Sequence, residues 1–221
     1  ELRTPLNVIY STEQLIKELN KNEEGIGREK LDHYMSIIKN NTKRLLKIIN
    51  DLIDSSKIEH GSYNINIEEI DIVYVVEEAA LSMKEYIGAK DIELIVDPEI
   101  EEKIIEADKS EIERCIVNIV GNAYKFTEPG GVIKVVIIDL GDSVRIEISD
   151  TGIGIDKKYH DLIFNRFNQV IDPSSEVKKG SGLGLTITKK IIDLHNGDIY
   201  VKSIPGQGSK FIIVLPVKQE R

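Results

Sequence analysis

The chain has 221 residues, 41% of them hydrophobic and none tryptophan, enough for one large domain or two small ones. Its net charge of -9 argues against a nucleic-acid surface, which needs clustered Lys and Arg to meet phosphate. Cys115 is the sole cysteine, which excludes an intrachain disulfide or a cysteine-built metal centre and fits a reducing compartment.

The predicted elements begin at once. In ELRTPLNVIY the residues Leu2, Leu6 and Ile9 recur at helical spacing with no start signal ahead of them, so a first helix is expected from Glu1 to about Leu19. The polar stretch NKNEEGIGRE is a turn. A second helix is expected from about Glu29 to Glu59, with Leu31, Tyr34, Ile38, Leu45, Ile48, Leu52 and Ile53 on an apolar stripe near heptad spacing. That stripe runs for about eight turns, roughly 45 Å at 1.5 Å per residue. A single hairpin offers it too little partner surface. Two hairpins packed as a dimeric four-helix bundle would bury it, in preference to a hairpin docked on its own C-terminal domain.

HGSYN (His60 to Asn64) breaks the helix, which divides the chain into residues 1–60 and 61–221. Beyond it, strands are expected at Ile65–Ile70, Ile92–Val96, Lys103–Glu106, Val132–Asp139, Val144–Ser149, Asp198–Ser203 and Lys210–Leu215. Helices are expected at about Ile72–Ile87, Lys109–Phe126 and Leu183–His195. The fold class is therefore α+β: a helical hairpin, then an α/β sandwich with helices on one face of a mixed sheet. The segment Thr151–Gly182 fits neither period and reads as a long, functional loop. Cys115 falls in the apolar stretch EIERCIVNIV, as a packed thiol. No apolar run reaches membrane-spanning length, so any membrane attachment is expected outside this sequence.

Three stretches of the second domain carry chemistry. In NIVGNAYKFT, Asn118 and Asn122 share a helix face and Lys125 lies one turn further along it. Two amide oxygens and an ammonium can hold a hard cation and a phosphate chain, although such a row can also simply face solvent. DTGIG (Asp150 to Gly154) follows a strand: a carboxylate there can accept from an exocyclic amine, and Gly152 and Gly154 permit close backbone approach. The alternative is an ordinary turn. GSGLGL (Gly180 to Leu185) opens a helix, where free N–H groups and the helix dipole favour an anion. Its GxGxG spacing matches neither the dinucleotide fingerprint nor the P-loop.

In order and spacing, NxxxNAxKFT, DTGIG, FNRF (Phe164 to Phe167) and GSGLGL resemble the asparagine, glycine, phenylalanine and second glycine boxes of the histidine kinase catalytic domain. ELRTPLN resembles that family's phospho-acceptor box, in which the acceptor histidine immediately precedes the glutamate. GQGSKFIIVLP is similar to the family's last strand. The resemblance covers Glu1 to about Pro216.

The resemblance implies the cytoplasmic kinase core of a two-component sensor histidine kinase with a Bergerat-type ATP-binding domain. The cofactors it implies are ATP and Mg2+, the metal meeting Asn122 and Asn118 and the phosphates meeting Lys125. Asp150 would recognise the adenine amine, Phe126 would pack near the base, and Gly152 and Gly154 would line the site. Gly180, Gly182, Leu183 and Gly184 would shape the lid hinge and phosphate cradle, and Arg166 would reach the phosphates on closure. Glu1 would handle the imidazole proton of a histidine just ahead of it. Thr4, in the ExxT pattern, would position a water for dephosphorylation of a receiver domain. The implied partners are a second copy of the chain, through residues 1–60, and a response-regulator receiver. His33, His60, His160 and His195 read as surface or capping residues. Two other classes stay open: a clamp ATPase of the gyrase and heat-shock type, and a non-catalytic dimerisation scaffold.

Overall fold

The computed structural model describes residues 2–21, 26–166, 168 and 182–219. The chain forms two compact units, Glu1–Ser62 and Tyr63–Arg221.

The first unit is a helical hairpin of α1 (Arg3–Leu19) and α2 (Arg28–Glu59). Leu2, the residue before α1, is itself in the right-handed helical region (φ -64°, ψ -35°) and supplies no side-chain cap. Among the described residues no side chain caps α1. Pro5 lies in the first turn, where the missing N–H breaks no interior hydrogen bond. α2 has a defined end. Gly61 takes φ +66°, its N–H bonds to the Ile58 carbonyl (3.2 Å), and the Ser62 N–H reaches back to Lys57 (2.9 Å). This is a Schellman stop, which glycine enters without a Cβ clash. The expected stripe divides: Leu31, Tyr34, Ile38, Leu45 and Ile48 are covered to varying degrees, whereas Leu52 and Ile53 are exposed, together with Leu6, Tyr10, Leu46 and Ile49.

The second unit is built on a five-stranded sheet in the order β2-β4-β5-β7-β6, with β2 (Glu93–Val96) parallel to β4 (Val132–Asp139). β5 (Ser143–Asp150), β7 (Ser209–Pro216) and β6 (Asp198–Ser203) continue it antiparallel. Strict alternation drives the layering. Ile133, Val135 and Ile137 of β4 and Val144, Ile146 and Ile148 of β5 are buried, and the residues between them are half-exposed. Above that buried face lie α3 (Ile72–Leu81), α5 (Lys109–Phe126) and α6 (Gly184–Leu194), which contribute Val76, Ile116, Ile119, Ile187 and Ile191 to the core. A separate two-stranded ladder pairs β1 (Glu68–Asp71) with β3 (Ile104–Ala107).

Two helices are started by aspartates. Asp71 accepts from the Val73 N–H (3.1 Å) ahead of α3, and Asp108 accepts from the Glu111 N–H (3.1 Å) ahead of α5. The helix expected over Ile72–Ile87 is interrupted, leaving α3 and a short α4 (Lys84–Gly88). At the break the Ser82 hydroxyl bonds the Ala79 carbonyl (2.7 Å), a local alternative to the helical ladder. Within Thr151–Gly182, two 3-10 turns form at Lys157–Tyr159 and Leu162–Phe164.

His195 takes the capping role, one of the two expected of it, at the end of α6, but it is not at the surface. It is fully buried, its Nδ1–H donating to the Ile191 carbonyl (2.7 Å) and its Nε2 accepting from the Asp108 N–H (2.9 Å). The end of α6 is thereby tied to the start of α5.

Candidate functional site

The site begins at the last residue of the central strand. Asp150 pairs with Ile133 of β4 on one side and Ser209 of β7 on the other, and it is 9% exposed. Its Oδ1 accepts two backbone hydrogen bonds, from Gly152 (2.8 Å) and Ser209 (3.3 Å). Oδ2 accepts none from the described residues. Burial pushes the carboxyl above its ordinary value, and the two N–H groups offset this only partly. The result is a buried carboxylate with one oxygen locked and one left for an incoming donor.

Backbone packing around Asp150 admits no side chains. A Cβ at Gly152 would strike the Phe126 carbonyl oxygen, and one at Gly154 (φ +70°) would strike the carbonyl of Ile204. The DTGIG turn is thus wedged between the end of α5 and the β6–β7 hairpin. The Ile153 N–H also bonds Phe126 (3.3 Å), and the Gly206 N–H bonds the Ile153 carbonyl (2.7 Å).

The hairpin itself is a part of the site that the sequence reading left out. A Cβ at Gly208 (φ +87°) would collide with the Asp150 carbonyl, and Ser209 supplies an N–H to the carboxylate. The Ser203 hydroxyl accepts from Ile155 (2.7 Å) and donates to Gly208 (2.7 Å), binding the loop after Asp150 to the hairpin. The available signal is GQGS, the opening of the stretch GQGSKFIIVLP that is similar to the family's last strand.

Along α5, Asn118, Asn122, Lys125 and Phe126 are all half-buried. Asn118 donates from Nδ2 to the Thr188 hydroxyl (2.9 Å), and a Cβ at Gly184 would stand 2.5 Å from its Oδ1. Asn122, one turn on, makes no side-chain hydrogen bond within the described residues. The Lys125 ammonium lies 4.8 Å from the centroid of the Phe126 ring. The end of α5 is secured by Lys90, whose ammonium donates to the carbonyls of Tyr124 (3.2 Å) and Thr127 (2.6 Å), as favoured at a helix C-terminus.

Gly182 takes φ +63° and Leu183 is buried ahead of α6, which starts without a side-chain cap. Arg166 is half-buried after the turn Leu162–Phe164, where Phe164 meets Phe211 edge-on (6.4 Å). Thr4 is exposed on α1. Glu1 and Gly180 lie outside the described residues. The structure therefore brings Asn118 to Gly184, and Asp150 with Gly152 to Phe126.

Cys115 is fully buried, and burial holds its thiol far above the usual range. It is a packing residue. Among the described residues no group of three or more His, Cys, Asp or Glu could hold a metal, and no helix is long and apolar enough to cross a membrane.

Comparison with known proteins is consistent along the chain. Residues 107–219 match the histidine kinase-, DNA gyrase B- and HSP90-like ATPase family, and residues 1–61 match the His Kinase A (phospho-acceptor) domain. The chain is 34% identical to the non-motile and phage-resistance protein of Caulobacter vibrioides, over 99% of this chain and 26% of that protein. It is 35% identical to hybrid signal transduction histidine kinase L of Dictyostelium discoideum, over 99% of this chain and 13% of that protein. The chain thus spans about a quarter or less of these relatives. The solved complex of histidine kinase ThkA with the response regulator TrrA has the same fold, with TM-score 0.73 and 24% identity over 98% of this chain and 59% of that one. With a phospho-acceptor domain and this ATPase domain in one chain, the protein belongs to the sensor histidine kinases of two-component systems.

Proposed function

We propose that the chain is the kinase core that moves the γ-phosphoryl group of ATP to a histidine directly ahead of Glu1, and from there to an aspartate of a response-regulator receiver. The carrying observation is Asp150: a buried carboxylate, half of it locked by backbone N–H groups, at the mouth of a glycine-lined turn. That arrangement suits the exocyclic amine of adenine. Phe126, joined to the same turn, offers an aromatic face for the base.

The donor set of α5 fits Mg-ATP. Asn122 has an amide uncommitted among the described residues, Asn118 presents Oδ1 toward the start of α6, and neutral oxygens are what a hard cation takes. Asn122 and Asn118 would hold Mg2+, which when bound neutralises phosphate charge. Lys125 supplies a further positive charge, and Arg166 is assigned the phosphates on lid closure. The start of α6, with Gly182, Leu183 and Gly184, would turn its positive dipole end to the phosphate chain, and Gly180, outside the described residues, is assigned to the same cradle on the resemblance alone.

Glu1 would accept or orient the imidazole proton of the preceding histidine and keep the attacking nitrogen unprotonated. Thr4, exposed on α1, would orient water toward a receiver phosphoaspartate in an opposing hydrolysis. The exposed Leu6, Tyr10, Leu46 and Leu52 support a homodimer through residues 1–60. The receiver partner follows the solved relative bound to its regulator, and the cytoplasmic side is where ATP and such receivers meet.

The test is to extend the N-terminus by a few residues ending in His and supply γ-labelled ATP with Mg2+. The extended chain should gain an acid-labile, base-stable label that chases to a receiver domain. Labelling of the unextended chain at His33, His60, His160 or His195 would overturn the acceptor assignment. ATP hydrolysis with no protein label would favour a clamp ATPase.

A further inference from the structure

Resting on the nucleotide reading above, we propose that Thr188 is a positioning residue: its hydroxyl fixes the side-chain amide of Asn118 so that Oδ1 faces the metal and phosphate side. Thr188 sits in the middle of α6, 2% exposed, opposite Asn118 of α5. A threonine within a helix ordinarily turns its hydroxyl back to the carbonyl four residues earlier. Here Oγ1 instead meets Asn118 Nδ2 at 2.9 Å, across two helices and seventy positions of sequence.

The consequence follows from the chemistry of an amide. Its two ends are nearly the same size and opposite in character, one accepting and the other donating. A cation or a water held for it needs the oxygen, and a flipped amide would present hydrogens to the cation. Nothing in the size of the side chain selects the correct flip. The bond to Thr188 anchors the amide as found: the hydroxyl, able to accept or donate, here accepts from Nδ2 and leaves Oδ1 directed at the first turn of α6. Gly184 completes the device: any Cβ there would stand 2.5 Å from Oδ1 and close the gap. One face of α6 therefore carries both the group that orients Asn118, at Thr188, and the space that keeps its oxygen accessible, at Gly184, one turn apart.

The role is separable from packing by substitution. Thr188→Val keeps the β-branched shape and removes only the hydroxyl, and Thr188→Ser keeps the hydroxyl and removes only the methyl. On the full chain, calorimetric titration with ATP should show Thr188→Val weakening binding about five-fold in Mg2+, the change expected for one ordinary hydrogen bond. Binding in excess chelator should stay unchanged, and Thr188→Ser should restore the Mg2+-dependent affinity. Independently of ligand, the two Asn118 side-chain amide proton signals, identified by their loss in Asn118→Ala, should shift or broaden in Thr188→Val. Equal weakening with and without Mg2+, or amide signals unaltered by Thr188→Val, would overturn the proposal. Failure of the unsubstituted chain to bind Mg-ATP would instead sink the nucleotide reading, and the amide signals of the ligand-free protein would still decide the Thr188 contact.

Discussion

Replacing Asp150 by asparagine makes a near-isosteric change with two opposite effects. The amide oxygen can keep both N–H donors, Gly152 at 2.8 Å and Ser209 at 3.3 Å, while the amide nitrogen takes the place of Oδ2. In the proposed role a donor would then face the adenine amine, itself a donor. Loss of that charge-assisted contact costs about 1.5–3 kcal/mol, which is roughly 10- to 150-fold in affinity for ATP at 1.4 kcal/mol per tenfold. GTP, which presents a carbonyl at that position, should lose less or gain. Stability should move the other way. Burial raises the folded-state pKa of Asp150 above its unfolded value, so its favourable contribution is present at low pH and is lost as pH rises through the folded pKa. Near neutral pH the ionised group is a burden on the ligand-free fold, and the neutral amide should raise the melting temperature. The gain should shrink as pH falls into the carboxyl range. Calorimetry with ATP and GTP, and melting curves at neutral and acidic pH, measure both effects. Equal weakening of the two nucleotides, or a lower melting temperature of the variant at neutral pH, would refute the reasoning.

Three further perturbations test neighbouring parts of the molecule. Asn122→Asp should leave the fold intact and reduce Mg-ATP affinity, because a charged ligand replaces a neutral one beside phosphate; titration with an unaltered metal dependence would remove Asn122 from the site. Gly208→Ala places a methyl against the Asp150 carbonyl at φ +87°, and should cost about 1–3 kcal/mol by urea unfolding and weaken ATP binding with it. Asp108→Ala removes the α5 cap and should cost about 0.5–2 kcal/mol at neutral pH. Burial raises the Asp108 pKa, but hydrogen bonds from Asn66, Ser110 and Glu111 outweigh it and leave the pKa lowered. The wild-type advantage is therefore present above the unfolded carboxyl pKa and should vanish as pH falls through the lower folded value. An advantage that persists in strong acid would count against this assignment.

The elements most legible in the sequence are those governed by local rules. The expected Val132–Asp139 and Lys109–Phe126 coincide with β4 and α5, because strict alternation marks one, while an aspartate cap and an apolar stripe mark the other. The strand expected at Ile65–Ile70 lies instead at Glu68–Asp71, where pairing with β3 sets the ends. The helix expected over Ile72–Ile87 divides after Leu81, which the hydrophobic period alone does not mark. The roles that escaped notice rest on long-range contacts: Ser209 to Asp150, Thr188 to Asn118, Lys90 to the end of α5, His195 to Asp108. Each is an unremarkable residue in its own neighbourhood. Only the sheet order and the antiparallel run of α5 against α6 give it a task.

The buried imidazole of His195 has a further consequence when taken with the Asn118 contact. α5 and α6 are fastened at two levels, Asp108 to His195 at one and Asn118 to Gly184 and Thr188 at the other. The stretches between the fastenings, Asp108–Asn118 and Gly184–His195, are each about three turns long. They act as matched spacers. One residue inserted into either would rotate its far end by about 100° and advance it by about 1.5 Å, so that satisfying one fastening would break the other. The length of these two helices is thus a gauge that holds the amide of Asn118 level with the glycine that faces it.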